Sequence, residues 1–263
     1  MKKSALVLAA GLACAGVIPT LAFAEDAAAA SPITYNIGAV SDYRYRGISQ
    51  SKLQPALQGG IDYAQGPFYV GTWLSTIEWV KDAGKALSPQ VDSGKAPAEW
   101  DLYGGTKGDI IKDSLTYDVG VLAYVYLGEK FHNVGLANPD TGEVYGALTY
   151  GVFTGKVSIS ATNLFGVPKS KGSQYYDLSA NFDLGGGFSL TPDIGYQNVT
   201  GSYSKAVNAS YSDYSVTLGK DFGKGLSASL QVIGTDAEKS WYTTSGHKFT
   251  GRTGVVAGVK YSF

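Results

Sequence analysis

A side-chain period of two, returning in segment after segment, constrains this chain more than anything else in it. Ile33, Tyr35, Ile37 and Ala39 alternate with Thr34, Asn36 and Gly38, and Leu57, Gly59, Ile61 and Tyr63 alternate with Gln58, Gly60 and Asp62. Phe68, Val70, Thr72 and Leu74 oppose Tyr69, Gly71, Trp73 and Ser75, and Trp100, Leu102, Gly104 and Thr106 oppose Asp101, Tyr103 and Gly105. Successive side chains of a strand point to opposite faces, so each segment reads as a strand with one apolar and one mixed face. The pattern recurs over 115–126, 143–150, 156–162, 174–184, 188–197, 211–220, 226–235 and 252–263, which makes about twelve strands. No amphipathic helix is expected after Trp79, and 77–97 reads as a long polar loop.

The connections narrow the choice. Those near 65–67, 108–109, 151–155, 185–187 and 222–225 are short; those near 47–54, 77–97, 127–142, 166–173, 198–210 and 236–251 are long. Short and long alternate, as in outer-membrane barrels, whose periplasmic turns are tight and whose external loops are extended. A soluble sandwich also alternates its faces. It has no need, however, of the uninterrupted apolar face of Thr253, Val255, Ala257, Val259, Tyr261 and Phe263 that ends the chain. The reading is all-β: a transmembrane antiparallel up-and-down β-barrel filling 33–263. Pro192 fits badly inside the 188–197 strand, because a closed barrel has no free edge for a residue without an N–H, so a bulge or a shifted boundary is expected there.

The composition agrees. Only 16% of residues are charged, against 35 glycines and 19 tyrosines. Lys2 and Lys3, an apolar run from Ala5 to Leu21 and the Ala22-Phe23-Ala24 pattern read as a signal peptide over 1–24, followed by a short periplasmic tail at 25–32. Cys14, the sole cysteine, would leave with that peptide, and thiol chemistry with it. The two lysines leave as well, so 19 basic residues face 22 acidic ones, a balance that points away from nucleic acid.

Strand parity assigns the faces. If Ile33 to Ala39 meet lipid, Tyr43 and Tyr45 meet it too, as part of an aromatic girdle. Asp42, Arg44, Arg46, Asp62, Asp101, Asp118, Asp177, Asp193, Asp213, Arg252 and Lys260 then line the interior. Arg44, Arg46 and Arg252 are expected to meet at the outer mouth, either as an anion-capturing funnel or as a ladder balanced by Asp42 and Asp213. Twelve strands about 4.8 Å apart, tilted about 40°, enclose a backbone cylinder roughly 24 Å across, which side chains narrow to a passage of roughly 10 Å. Ions and small hydrophilic solutes would pass, unless an inward loop such as 77–97 shut the way.

SDYRYRGISQS at 41–51, QPALQGGIDYA at 54–64, FYVGTW at 68–73 and the terminal YSF at 261–263 resemble the TorF-type porin family of proteobacterial outer-membrane proteins. The resemblance spans essentially the whole chain after the signal peptide. It implies an outer-membrane location and a pore, and it names no solute.

Catalytic and metal chemistry find little support. His132 and His247 lie in long loops without ligand-type spacing; His247 near Ser245, or with Asp236, keeps open an enzyme alternative, a lipid or peptide hydrolase. Asp140 and Glu143 in NPDTGE supply too few oxygens for calcium. A non-conducting structural barrel is the other alternative. No cofactor is expected. The expected partners are outer-membrane lipid, small polar solutes and the barrel-assembly machinery, reached through the C-terminal strand ending in Phe263.

Overall fold

Residues of alternating polarity form strands here because each can bury one face and solvate or plug the other. The computed structural model describes residues 31–87, 90–92, 94–135, 137–201 and 208–263. The expected signal peptide and tail positions 25–30 lie outside the described residues. Twelve strands form the wall: β1 (Ile33–Val40), β2 (Ala56–Gln65), β3 (Phe68–Thr76), β4 (Ala98–Ile111), β5 (Leu115–Val125), β6 (Thr141–Tyr150), β7 (Phe153–Ser160), β8 (Gln174–Ala180 continued by Phe182–Gly185), β9 (Phe188–Asn198), β10 (Tyr211–Gly223), β11 (Leu226–Thr235) and β12 (Gly254–Ser262). Each pairs antiparallel with its sequence neighbours, and β12 pairs back onto β1 from Asn36↔Ser262 to Val40↔Gly258. The sheet is therefore a closed barrel without edges, the form in which strands cross a bilayer.

The outward face is apolar. Ile37, Leu57, Val70, Val121, Leu178, Ile194 and Val255 are each at least half exposed, a band that only lipid can cover without penalty. At the seam Phe263 stacks on Tyr35, with ring centroids 5.6 Å apart, and the two residues exchange backbone hydrogen bonds of 2.9 and 3.0 Å.

Tight turns at 66–67, 112–114, 151–152, 186–187 and 224–225 share one end of the barrel with the seam residues, while the longer connections that follow β1, β3, β5, β7, β9 and β11 leave from the other. β4 runs on to Ile111, so its turn is at 112–114 and not near 108–109. Pro192 brings neither a bulge nor a shifted boundary. The β8 ladder has a gap opposite Thr191 and Pro192, between Ser179↔Asp193 and Phe182↔Leu190, with no change of register. Asn181, in that gap, donates its N–H instead to the Val152 carbonyl of the neighbouring turn.

Two expectations about the outer end are corrected. The first strand stops at Val40 and does not run on to Arg46. And 77–97 is not all loop: Trp79–Leu87 forms a helix, α1, with Asp82 in its first turn where the helix dipole favours an anion. Val80 is fully buried, with Trp79 and Ala83 packed beside it, so a short apolar face at helical spacing caps the barrel.

Candidate lumen site

Residues 41–55 turn inward. Arg44–Tyr45 pairs with Ile48–Ser49 in a two-residue hairpin whose tip, Arg46-Gly47, has φ of 47° and 79°. Both tip residues of such a turn need positive φ, and Gly47 adopts it freely. The hairpin is a finger laid across the lumen. Tyr43 is 1% exposed in the core, and Tyr45 lies edge-on to Tyr124 and Phe165. Neither tyrosine meets lipid, which overturns the girdle expected from parity: the backbone leaves the wall after Val40, and parity ceases to apply.

Nor do the arginines stand together in water. Arg44 is buried and donates to Asp42, to the Gly47 carbonyl at 2.9 Å, and to the Thr250 and Arg252 carbonyls at 2.9 and 3.1 Å, stapling the finger to the approach to β12. Asp42 also accepts hydroxyls from Ser49 and Ser51. Arg252 contributes its carbonyl to this staple while its side chain is exposed. The expected basic cluster of Arg44, Arg46 and Arg252 does not assemble, because two of the three guanidiniums are already spent on separate buried partners.

Arg46 reaches the far wall. Its guanidinium forms a two-pronged ion pair with Glu143 of β6, at 3.0 and 2.8 Å, and donates to Gln197 Oε1 of β9 at 2.7 Å. It lies over the rings of Tyr45 and Tyr175, 4.7 and 4.2 Å from their centroids. Parallel N–H donors matched to a carboxylate, with aromatic faces above and below, are what a guanidinium prefers over bulk water. Beside this cage, Glu99 of β4 accepts the hydroxyls of Tyr43 and Tyr126, both at 2.5 Å. Asp101, two residues along, is fully buried, and neither of its oxygens has a hydrogen-bond partner among the described residues.

Below the finger, and beside its tip at Tyr175, the wall is different in kind. Three tyrosines each lie across an inward glycine of the next strand and bond an aspartate one strand further. Tyr69 crosses Gly105 to Asp118 at 2.5 Å, Tyr103 crosses Gly71 to Asp62 at 2.5 Å, and Tyr175 crosses Gly195 to Asp213 at 3.1 Å. A Cβ on Gly71 would stand 2.5 Å from the Tyr103 ring, so the glycine is what lets the ring lie flat. This accounts for much of the glycine and tyrosine richness. Asp62, Asp118, Asp177 and Asp193 are half-exposed, as are Lys107, Lys156 and Lys260, while Asp213 is buried beside Tyr175. Asp177 and Asp193 are diagonal neighbours on β8 and β9. Along the wall, strand parity turns Asp62, Glu99, Asp101, Asp118, Glu143, Asp177, Asp193 and Asp213 inward, with Asp109, Asp183 and Asp221 nearer the tight turns, against three lysines, with Arg46 of the finger as a fourth cation.

Sequence reasoning missed Glu99, Glu143 and Gln197. A signal existed: Glu99 is two before Asp101, Gln197 is four after Asp193, and Glu143 alternates with the exposed Val144, so the same parity carries all three inward. Asp140 and Glu143 hold the Tyr126 N–H and Arg46, not a common ion. Among the described residues, no group of three or more His, Cys, Asp or Glu is placed to hold a metal.

Over the finger, Asp82 of α1 joins three loops. It accepts from Lys52 Nζ at 2.5 Å and from the backbone N–H and hydroxyl of Ser245 at 2.9 and 2.6 Å. Burial pushes the Asp82 carboxyl up, but the bonds from Lys52 and Ser245 outweigh it and hold the group below its usual range.

A family model described as "Bacterial protein of unknown function (Gcw_chp)" matches residues 24–263. The chain belongs to the Gcw_chp family. Among solved structures, this Gcw_chp protein is similar to the KdgM porin in complex with disordered oligogalacturonate, at 7% identity and a TM-score of 0.51, with 88% of this chain and 98% of that one covered. It is similar also to the NanC porin, at 9% identity and a TM-score of 0.50, with the same coverage. At these identities the likeness carries the barrel fold alone. No curated protein matches the sequence. The Gcw_chp model names neither a solute nor the TorF type.

Proposed function

We propose that this Gcw_chp barrel is an outer-membrane, porin-like channel for small polar cations, held shut from outside by the 41–55 finger. The observation that carries this reading is the charge of the inner wall, where inward carboxylates outnumber three lysines and one guanidinium more than two to one. Low-dielectric walls focus such a field, raise the local concentration of cations and exclude anions. Of the two expected alternatives, the anion funnel gives way to the opposite preference, since Arg44 is neutralised by Asp42, as the ladder had it, and Arg46 by Glu143. The apolar outer band and the porin-type fold support the outer-membrane location, and residues 41–73 carry the finer likeness to TorF-type porins. The seam at Phe263 supports recognition of the terminal strand by the assembly machinery; loss of Phe263 should reduce heat-modifiable, membrane-inserted protein.

The packed outer lumen favours a second reading, a structural barrel that conducts nothing. Planar-bilayer recording separates the two. A variant in which 43–50 is replaced by a glycine–serine linker should conduct more than wild type, and its reversal potential in a salt gradient should report cation preference that weakens at high salt. A silent linker variant would establish the structural barrel, and anion preference would overturn the proposed selectivity. The hydrolase alternative pairs His247 with Ser245 or Asp236; the Ser245 hydroxyl instead donates to Asp82 of α1.

A further inference from the structure

The guanidinium of Arg46 is the part of the chain most like a solute. It hangs from a hairpin tip and touches the far wall only through its charged head. The wall groups it meets are a carboxylate matched to both of its prongs, an amide oxygen and an aromatic face at 4.2 Å, from β6, β9 and β8. Those three strands are hydrogen-bonded within the barrel and do not depend on the finger for their placement. The cage is thus part of the wall, and the finger is its occupant.

We infer that this cage, Glu143 with Gln197 and Tyr175, is a solute-binding site for guanidinium-bearing cations, and that Arg46 fills it as a built-in competitor. The inference deepens the cation-channel reading and rests on it for its biological sense, though binding itself requires no conduction. A second observation points to a ligand with a further positive charge. Asp101, fully buried and with both oxygens unpartnered among the described residues, lies on β4, two strands from Glu143, with Tyr124 of β5 facing it in register. Tyr124 also shares a hydroxyl contact with Tyr45 of the finger, 2.7 Å away, so withdrawal of the finger uncovers the Glu143 cage and the Asp101 side together. A buried carboxylate without a partner is costly in the closed barrel. An ammonium arriving with the guanidinium would supply the partner.

Two carboxylates, tyrosines and an amide suit an organic cation better than a hard metal ion, which wants six or more oxygens. The finger then acts as a selector as well as a stopper: a solute must displace Arg46 from Glu143, so neutral and anionic solutes leave it docked.

The test is calorimetric titration of the detergent-solubilised barrel with agmatine, which carries a guanidinium and an ammonium, beside 1-butylguanidine and glutarate. Self-occupancy lowers apparent affinity by the fraction of sites left open. Arg46→Ala should therefore bind agmatine at least about tenfold more tightly than wild type. Arg46→Asn should do the same while accepting the positive φ of that position more readily than alanine. Adding Glu143→Gln to either variant should abolish binding of both guanidines, and adding Asp101→Asn should weaken agmatine but not butylguanidine. Glutarate should not bind. Equal agmatine affinity in wild type and both Arg46 variants, or binding that survives Glu143→Gln, would overturn the site. A barrel that binds as described yet passes no current would remove the channel reading and leave the site.

Discussion

The two halves of the lumen are built from the same residue types and do opposite things with them. In the outer half tyrosine hydroxyls and guanidiniums are turned onto Glu99, Glu143 and Asp42, and the space closes into a packed core around Tyr43 and Tyr126. In the inner half tyrosines lie flat over glycines against the wall, and Asp62, Asp118, Asp177 and Asp193 stay half-exposed. What decides between plug and bore is therefore not polarity but whether a second layer of chain is present to be bonded. The finger provides that layer outside, and nothing among the described residues provides it inside.

The largest effect expected from this contrast follows from breaking an outer pair. Glu143→Gln leaves Arg46 buried without its counter-charge and should destabilise the barrel by about 3–5 kcal/mol, read as a lower unfolding temperature in detergent. Asp193→Asn, in the inner half, should shift ion selectivity with little change in that temperature. If the two substitutions destabilise equally, the division into halves fails. A smaller effect is expected where the inner wall depends on bare backbone. Gly120→Ala puts a Cβ 2.6 Å from both the Tyr145 hydroxyl and the Gly104 carbonyl and should cost about 1–3 kcal/mol on the same assay.

Acid should act on the outer half through Asp82. Because Lys52 and Ser245 hold its folded-state pKa below the usual value of 3.8, its tie contributes fully above that value and is lost as pH falls below it through the folded-state pKa. The protection factor of the Ser245 amide should fall below about pH 4 in wild type. In Asp82→Asn it should be low already at neutral pH, with no further acid step. The smallest effect is reserved for Arg252, whose exposed side chain should be replaceable by alanine within about 0.5 kcal/mol and without change in selectivity. Arg44→Ala, by contrast, removes the staple, and an equal response from the two would restore the expectation of a shared basic cluster.

Strand after strand of this barrel was legible because lipid on one side and a lumen on the other impose a period of two, and Ile37, Leu57 and Val70 obey it. The site was only half legible. Parity puts Asp62 and Asp118 on the face of Tyr103 and Tyr69, whose hydroxyls they accept, but it can be extended only while the chain remains in the wall, and nothing in Asp42-Tyr43-Arg44-Tyr45 marks the departure after Val40. Gly47 alone carried a turn signal, since the tip of a two-residue hairpin needs positive φ. Read as a strand end, it placed Tyr43 in lipid. The nine-residue helix at Trp79 was missed for the same kind of reason: its apolar face is one turn long, and tertiary packing rather than pattern stabilises it.

The seam between β1 and β12 has a consequence for the order of events in folding. The finger follows directly on β1 and precedes the other eleven strands of the wall, yet its anchors, Glu143, Gln197 and the Thr250 carbonyl, are spread through those strands and their connections. Contacts of such large sequence separation form late, because the intervening loops must be closed first. The seam itself, Asn36 on Ser262, spans more of the chain than any of these anchors, so closing the cylinder is the longest loop of all to make, and Glu143 and Gln197 come within reach of the finger before the last strand arrives.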